Sequence, residues 1–139
     1  MNTETKTDIN QKDKIMKIAV IIVRSLMGAL FVFGSVTFFL KLFPQPEVTG
    51  AMKIFRDGLE ASVYLFPTVK SIELLCGIAF LTGRLVPLAT VLISPIIVNI
   101  ILVHSFLDTT GLPVAIFLVL SNSFVAYSHR ESYKPLFKI

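Results

Sequence analysis

Six polar side chains interrupt long apolar runs in this sequence: Arg24, Lys70, Glu73, Asn99, His104 and Asn122. Away from water a charged side chain costs several kcal/mol, so each of these needs a partner or a task. Their types define what that task can be. A carboxyl such as Glu73 and an imidazole such as His104 take up and release protons. An amide such as Asn99 or Asn122 donates to a carbonyl, and Arg24 or Lys70 can neutralise a carboxylate. Together they can hold a small polar headgroup and move protons to or from it. The bland alternative is hydrogen-bonded glue between helices, at about 1 kcal/mol for each contact.

Other chemistries are excluded by residue type and spacing. There is no His-Glu-x-x-His motif, no P-loop and no dinucleotide-binding glycine pattern. His104 and His129 fall at opposite ends of the apolar architecture described next, so they cannot share a haem. Ser105 adjoins His104, but adjacent helical residues do not face each other, so they form no nucleophile–base pair. Cys76 is the only cysteine and lies mid-run. It can make neither an intrachain disulfide nor a Cys-x-x-Cys pair, and is expected to be a small buried apolar residue. No metal site is expected.

Four apolar stretches must position the polar set. The first, about 15–40, is interrupted only by Arg24 and small hydroxyl residues. At about 1.5 Å per residue it crosses a hydrocarbon layer of about 30 Å with length to spare. It is longer than the roughly 7–15 apolar residues of a signal peptide, and no small-residue cleavage site follows it, so it reads as a retained first span. Phe43-Pro44-Gln45-Pro46 ends it. In 49–66, Met52, Phe55, Leu59 and Val63 recur at helical spacing, with Lys53, Arg56, Asp57 and Glu60 opposite. That is an amphipathic helix, expected on the membrane surface or over the mouth of the bundle. Pro67 opens a second span over about 68–82, which is short unless residues 64–66 join it. A third follows the Gly83-Arg84-Leu85-Val86-Pro87 turn over about 88–107, with Pro95 inside it, and a fourth runs over about 112–127. Asp108-Thr109-Thr110-Gly111 is a polar turn between them, and Asp108 or Thr109 is placed to cap the fourth span. The expected architecture is all-α: a four-helix transmembrane bundle of up-down topology, with the amphipathic helix between the first and second spans. Residues 1–14 are expected to form a polar, mobile cytoplasmic tail, and 15–139 the membrane domain.

Depth along these spans groups the polar set. Arg24 and Asn122 fall in one half, while Glu73, Asn99 and His104 fall in the other, with Lys41 at that face as a snorkelling anchor. Lys70 and Glu73, three apart, can pair on one helix face. An Arg24–Glu73 pair would have to bridge roughly 10 Å along the axis. Asn99 and His104 are five residues apart, about 140° around a helix, so both cannot point straight at the bundle axis unless Pro95 or the helix end adjusts. Glu73 and Asn99 are nevertheless expected to face the interior, each with a hydrogen-bond partner.

Composition agrees with a membrane chain. Of 139 residues, 54% are hydrophobic and 16% charged, too few charges to cover a water-facing surface. Lys6, Lys12, Lys14 and Lys17 precede the first span, and Arg130, Lys134 and Lys138 follow the fourth. With Arg84 they place a basic excess on the side of the two termini, which by the positive-inside rule is the cytoplasm. Lys41, Lys53 and Arg56 lie on the opposite side. No basic face with interleaved aromatics offers a nucleic-acid surface.

The order and spacing of these residues resemble the DoxX family of small four-helix bacterial membrane proteins. The likeness runs over about 18–137. It rests on Arg24, Gly28, Phe31 and Gly34 in the first span, and on Pro67, Val69-Lys70, Glu73-Leu74, Gly77, Gly83-Arg84 and Val86-Pro87-Leu88-Ala89 around the second. It continues with Pro95-Ile96-Ile97-Val98-Asn99-Ile100, His104-Ser105-Phe106-Leu107-Asp108, Gly111-Leu112-Pro113, and Tyr127, Arg130 and Tyr133. The resemblance implies a bacterial cytoplasmic membrane and a polar set at Arg24, Glu73, Asn99 and His104. Some relatives are linked to thiosulfate:quinone oxidoreduction or oxidative-stress complexes. The leading expectation is an accessory membrane subunit whose polar pocket binds a small amphipathic molecule, a quinone first among them. Its partners would be other membrane redox subunits or copies of itself. A non-enzymatic membrane scaffold, or a protein that binds a lipid or small molecule, is the alternative class.

Overall fold

A computed structural model describes residues 2–138 as helices joined by short turns, with no strand among the described residues. Helix α1, Thr3–Leu40, is a single run of 38 residues. The polar start, expected to be a mobile tail, continues the first span as helix. Nothing between Asn2 and Met27 breaks it, since the first glycine is Gly28 and no proline precedes Pro44. Once the apolar part is helical, each further residue adds a backbone hydrogen bond at little cost. Residues 2–18 are all exposed, so this extension buries nothing. The helix stops where Lys41 turns left-handed (φ 50°) and the Leu42 N–H bonds back to the Thr37 carbonyl at 3.2 Å.

Helix α2, Gly50–Ala61, is the amphipathic element, and it is shorter than its apolar spacing implied. Ser62 ends it: its hydroxyl donates to the Leu59 carbonyl at 2.6 Å and accepts the Leu65 N–H at 3.2 Å. Val63 then adopts a left-handed φ of 63° and stands 80% exposed, so it is not part of the apolar stripe. Arg56 departs from expectation as well. It is half-buried beside Met52, Phe55 and Leu59, and its guanidinium donates to the Pro46 carbonyl at 2.7 Å.

Helix α3, Leu65–Thr82, takes in Leu65 and Phe66, which supplies the length the second span needed. Gly83 caps it in a left-handed conformation (φ 72°), donating its N–H to Ala79 O at 3.0 Å. Helix α4, Val86–Phe106, carries Pro87 in its first turn and Pro95 in its interior. A single 3₁₀ turn, Thr109–Gly111, leads into α5, Leu112–Ser128. The Asp108 carboxylate caps this turn, accepting the Thr110 N–H at 3.0 Å and its hydroxyl at 2.7 Å. A short α6, Arg130–Tyr133, brings the Tyr133 hydroxyl to the Pro87 carbonyl at 3.2 Å.

By length and composition, α1, α3, α4 and the segment Thr109–Ser128 can each cross a membrane. Helix α1 packs on α3 and α5, and α4 packs on the same two. Met27, Phe31, Phe80, Ile93 and Val125 fill the space between them. The α1–α3 crossing is close because it is glycine on glycine: a Cβ at Gly28 would lie 2.8 Å from the Gly77 carbonyl oxygen, and one at Gly77 3.0 Å from that of Gly28. Leu75, Leu120 and Phe33 point outward, each more than 60% exposed, giving an apolar exterior suited to lipid.

Candidate functional site

On α3, Phe66, Lys70 and Glu73 follow one another at helical spacing. The Lys70 ammonium donates to Glu73 Oε2 at 2.7 Å and lies 5.8 Å from the centre of the Phe66 ring. Glu73 is buried and Lys70 half-buried, so this pair is largely withdrawn from solvent. The partner that the three-residue spacing offered Glu73 is the one it has.

The pair opens onto a cavity of about 360 Å³. Helix α1 contributes Phe31 and Gly34, while α2 lines it with Met52, Phe55 and Leu59. Asn99 and His104 of α4 complete the polar lining with Arg56 and Gln45. The apolar stripe of α2 thus faces the bundle. The volume falls within the roughly 300–1,000 Å³ of small-molecule sites, and the lining has their character, apolar walls with a few convergent polar groups. At Gly34 a Cβ would meet nothing within 4 Å, so the space continues to the α1 backbone.

His104 is oriented by the turn that follows it. Its Nδ1 lies 2.8 Å from the Asp108 backbone carbonyl, and its ring packs against Gly111, where a Cβ would collide with it. A carbonyl only accepts, so Nδ1 carries the proton, and in the neutral ring Nε2 is left as an acceptor. His104 in that form accepts a hydrogen bond from a ligand hydroxyl; it donates to a ligand carbonyl only when doubly protonated.

Asn99 departs from expectation. It lines the cavity but is exposed, and among the described residues its side chain has no hydrogen-bond partner. Ile93 and Ile97 define the buried face of α4. Asn99, two residues beyond Ile97, is turned about 200° from it. The conflict between Asn99 and His104 is settled in favour of the histidine, leaving Asn99 at the open side of the cavity.

The other polar residues are placed elsewhere. The Arg24 guanidinium donates to the Phe80 carbonyl at 2.9 Å, one of the unpaired carbonyls at the end of α3, rather than to Glu73. Lys41 is exposed and lines a separate crevice with Phe38, Glu60 and Phe66. Asn122 is buried in the α4–α5 interface, where its amide donates to Ser94 Oγ at 3.0 Å and reaches the Thr90 carbonyl at 3.4 Å. Ser94 in turn donates to that same carbonyl at 2.6 Å, so Asn122 ties the two helices just before Pro95. Arg56 and Gln45 are cavity residues that the sequence reading did not single out. For Arg56 the signal was present: it stands four residues after Met52 and three before Leu59, on the flank of the apolar stripe. No protein-family model, curated protein or solved structure matches this chain.

Proposed function

We propose that the chain is a four-span, up-and-down membrane protein of a bacterial cytoplasmic membrane, with both termini cytoplasmic, whose cavity beneath α2 binds one small amphipathic molecule of the quinone class. The observation that carries this reading is the Lys70–Glu73 pair, its carboxylate buried, opening onto a cavity that also presents Asn99 and His104. The order of polar and glycine residues that resembles the DoxX family supports it. So do the cavity linings: the start of α3 and the end of α4 share one cavity, and the beginning of the apolar part of α1 and the end of α5 share another.

The polar groups divide the work. The Asn99 amide and the Lys70 ammonium are the donors for a ring carbonyl. His104 Nε2 is the acceptor for a ring hydroxyl, and Glu73 is the group through which a proton passes between cavity and water. Phe31, Phe55 and Leu59 hold the apolar part. The chain is then an accessory subunit that binds and handles protons, and a partner membrane redox subunit exchanges electrons with the ligand.

One observation favours a second reading. Exposed Asn99 lies among the outward side chains of Val98 and Leu102, and an amide on a lipid-facing surface is suited to bonding a helix of another protein. In that case the chain is a non-enzymatic scaffold.

Gly34→Leu separates the two. Its side chain enters the cavity without meeting a neighbour at Cβ, and it raises helix propensity by up to about 1 kcal/mol. Titration of a short-chain quinone into the detergent-solubilised protein should raise the thermal midpoint of the native protein. In Gly34→Leu the same titration should need at least about tenfold more quinone, while the ligand-free midpoint holds or rises. Equal responses in the two proteins would remove the cavity as the site and leave the scaffold reading.

A further inference from the structure

Where the middle of α1, the α3–α4 turn and the end of α5 meet, a second cavity of about 450 Å³ is lined by Lys17, Arg24, His129 and Arg130 and, among the described residues, by no carboxylate. It shares no lining residue with the cavity beneath α2. The Arg24 guanidinium is held by the Phe80 carbonyl and packs against Gly83, where a Cβ would collide with it. That bond uses one of the five N–H donors of the guanidinium. Among the described residues, no carboxylate lies within 4 Å of Arg24 or Lys17, although Asp13 stands one turn before Lys17. Arg130 is held over the Tyr127 ring, 4.6 Å from its centre, and donates to the Tyr127 carbonyl at 3.1 Å. Its one acidic neighbour among the described residues, Glu131, is 4.0 Å away and bonds Lys134 at 2.6 Å instead. His129 points Nδ1 at the Val125 carbonyl, 3.0 Å away, leaving Nε2 free.

Three cations held around one space repel each other unless an anion joins them. Apart from Gly83, Tyr127 and Ser128, the remaining wall is apolar: Met16, Val20 and Ile21 of α1 and Val86 of α4 line it, and Met16 and Ile21 are also half exposed on the outer face of α1. Charge selects an anion, and the continuous apolar strip beside it selects one that carries a hydrocarbon tail. We propose that this cavity binds the phosphodiester headgroup of an anionic phospholipid, with an acyl chain lying along α1 at Ile21. Basic sites at helix ends recognise acidic lipid in this way. The lipid fills the groove between α1 and α5, which holds the long α1 against the rest of the bundle. This site stands independently of any ligand beneath α2.

The test compares binding of phosphatidylglycerol and phosphatidylcholine to the detergent-solubilised full chain by native mass spectrometry, with glycerol phosphate as a soluble competitor. The altered protein is Lys17→Gln with Arg130→Gln. Both residues are exposed, and Arg24 is left on its carbonyl. Lys41→Gln, which removes a charge far from this cavity, is the control. Phosphatidylglycerol should bind in preference to phosphatidylcholine. The double variant should bind it about 25-fold more weakly, at about fivefold for each of the two charges removed, and Lys41→Gln should bind it as the native protein does. Equal binding of the two lipids, or an equal loss in Lys41→Gln, would overturn the site. Displacement of the lipid by glycerol phosphate at comparable concentration would show a site for soluble phosphate and overturn the lipid assignment.

Discussion

Glu73 shows how a single residue's surroundings can be read in advance. A buried carboxylate without a partner is expensive, and a lysine three positions earlier on the same helix is the nearest remedy. The pair forms at 2.7 Å. Asn99 shows where that reading runs out. Its depth was legible, but which of Asn99 and His104 faces inward depends on which side of α4 is buried, and that is the Ile93 and Ile97 side, almost opposite Asn99. His104, seven residues after Ile97, falls on that side, where the Asp108 backbone carbonyl holds its ring; α4 is apolar nearly all round, so its sequence does not mark the buried side. Asp108 itself was legible as a cap, and its chemistry is testable. The hydroxyl of Thr110, then its N–H, hold the Asp108 carboxyl below the usual aspartate range, with a smaller contribution from His104. A carboxyl depressed in the folded chain stabilises the turn fully above the ordinary aspartate range, and this stabilisation is lost as pH falls through the depressed value. Carbon NMR titration should place the Asp108 midpoint below that of a free aspartate. In Thr110→Val it should rise towards the ordinary value, and an unmoved midpoint would show that the hydroxyl has no such role.

Among the elements, α2 carries the most consequence. Its apolar stripe had two possible resting places, lipid and the bundle, and Met52, Phe55 and Leu59 take the bundle side. The sequence located the stripe but overran its end, because Val63 keeps helical spacing while Ser62 breaks the helix with its own hydroxyl. If α2 closes the cavity, a charge on its inner face should loosen it. Cys76 is buried in the core and does not line the cavity, so the reporter thiol is better placed at Gly34. In a Cys76→Ala background, Gly34→Cys should react several-fold faster with a water-soluble maleimide once Phe55→Asp is added. An unchanged rate in a correctly inserted protein would mean that α2 is a surface anchor and not a lid.

For the molecule as a whole, four helices able to span a membrane were legible because Pro, Gly and Asp punctuate the apolar runs at 43–46, 83–87 and 108–111. The helical start of α1 was not, since its polar composition argued only for a mobile tail while its lack of any breaker allowed a helix. The cation-lined cavity was also hidden, because Lys17, Arg24 and Arg130 come from both ends of the sequence and meet only once α1 and α5 pack together. Topology is open to a direct check. Reporter fusions at Asp108 and at the C-terminus should signal from opposite sides of the membrane, with the C-terminus inside; signals from one side would break the four-span order. The central claim, that the space beneath α2 is a binding site, is tested most directly on what the native protein carries. Mass spectrometry of small molecules released from protein extracted gently from its membrane should find a quinone-class compound approaching one per chain, and strongly reduced in Gly34→Leu. A native sample that releases none, or the same amount from both proteins, would contradict it.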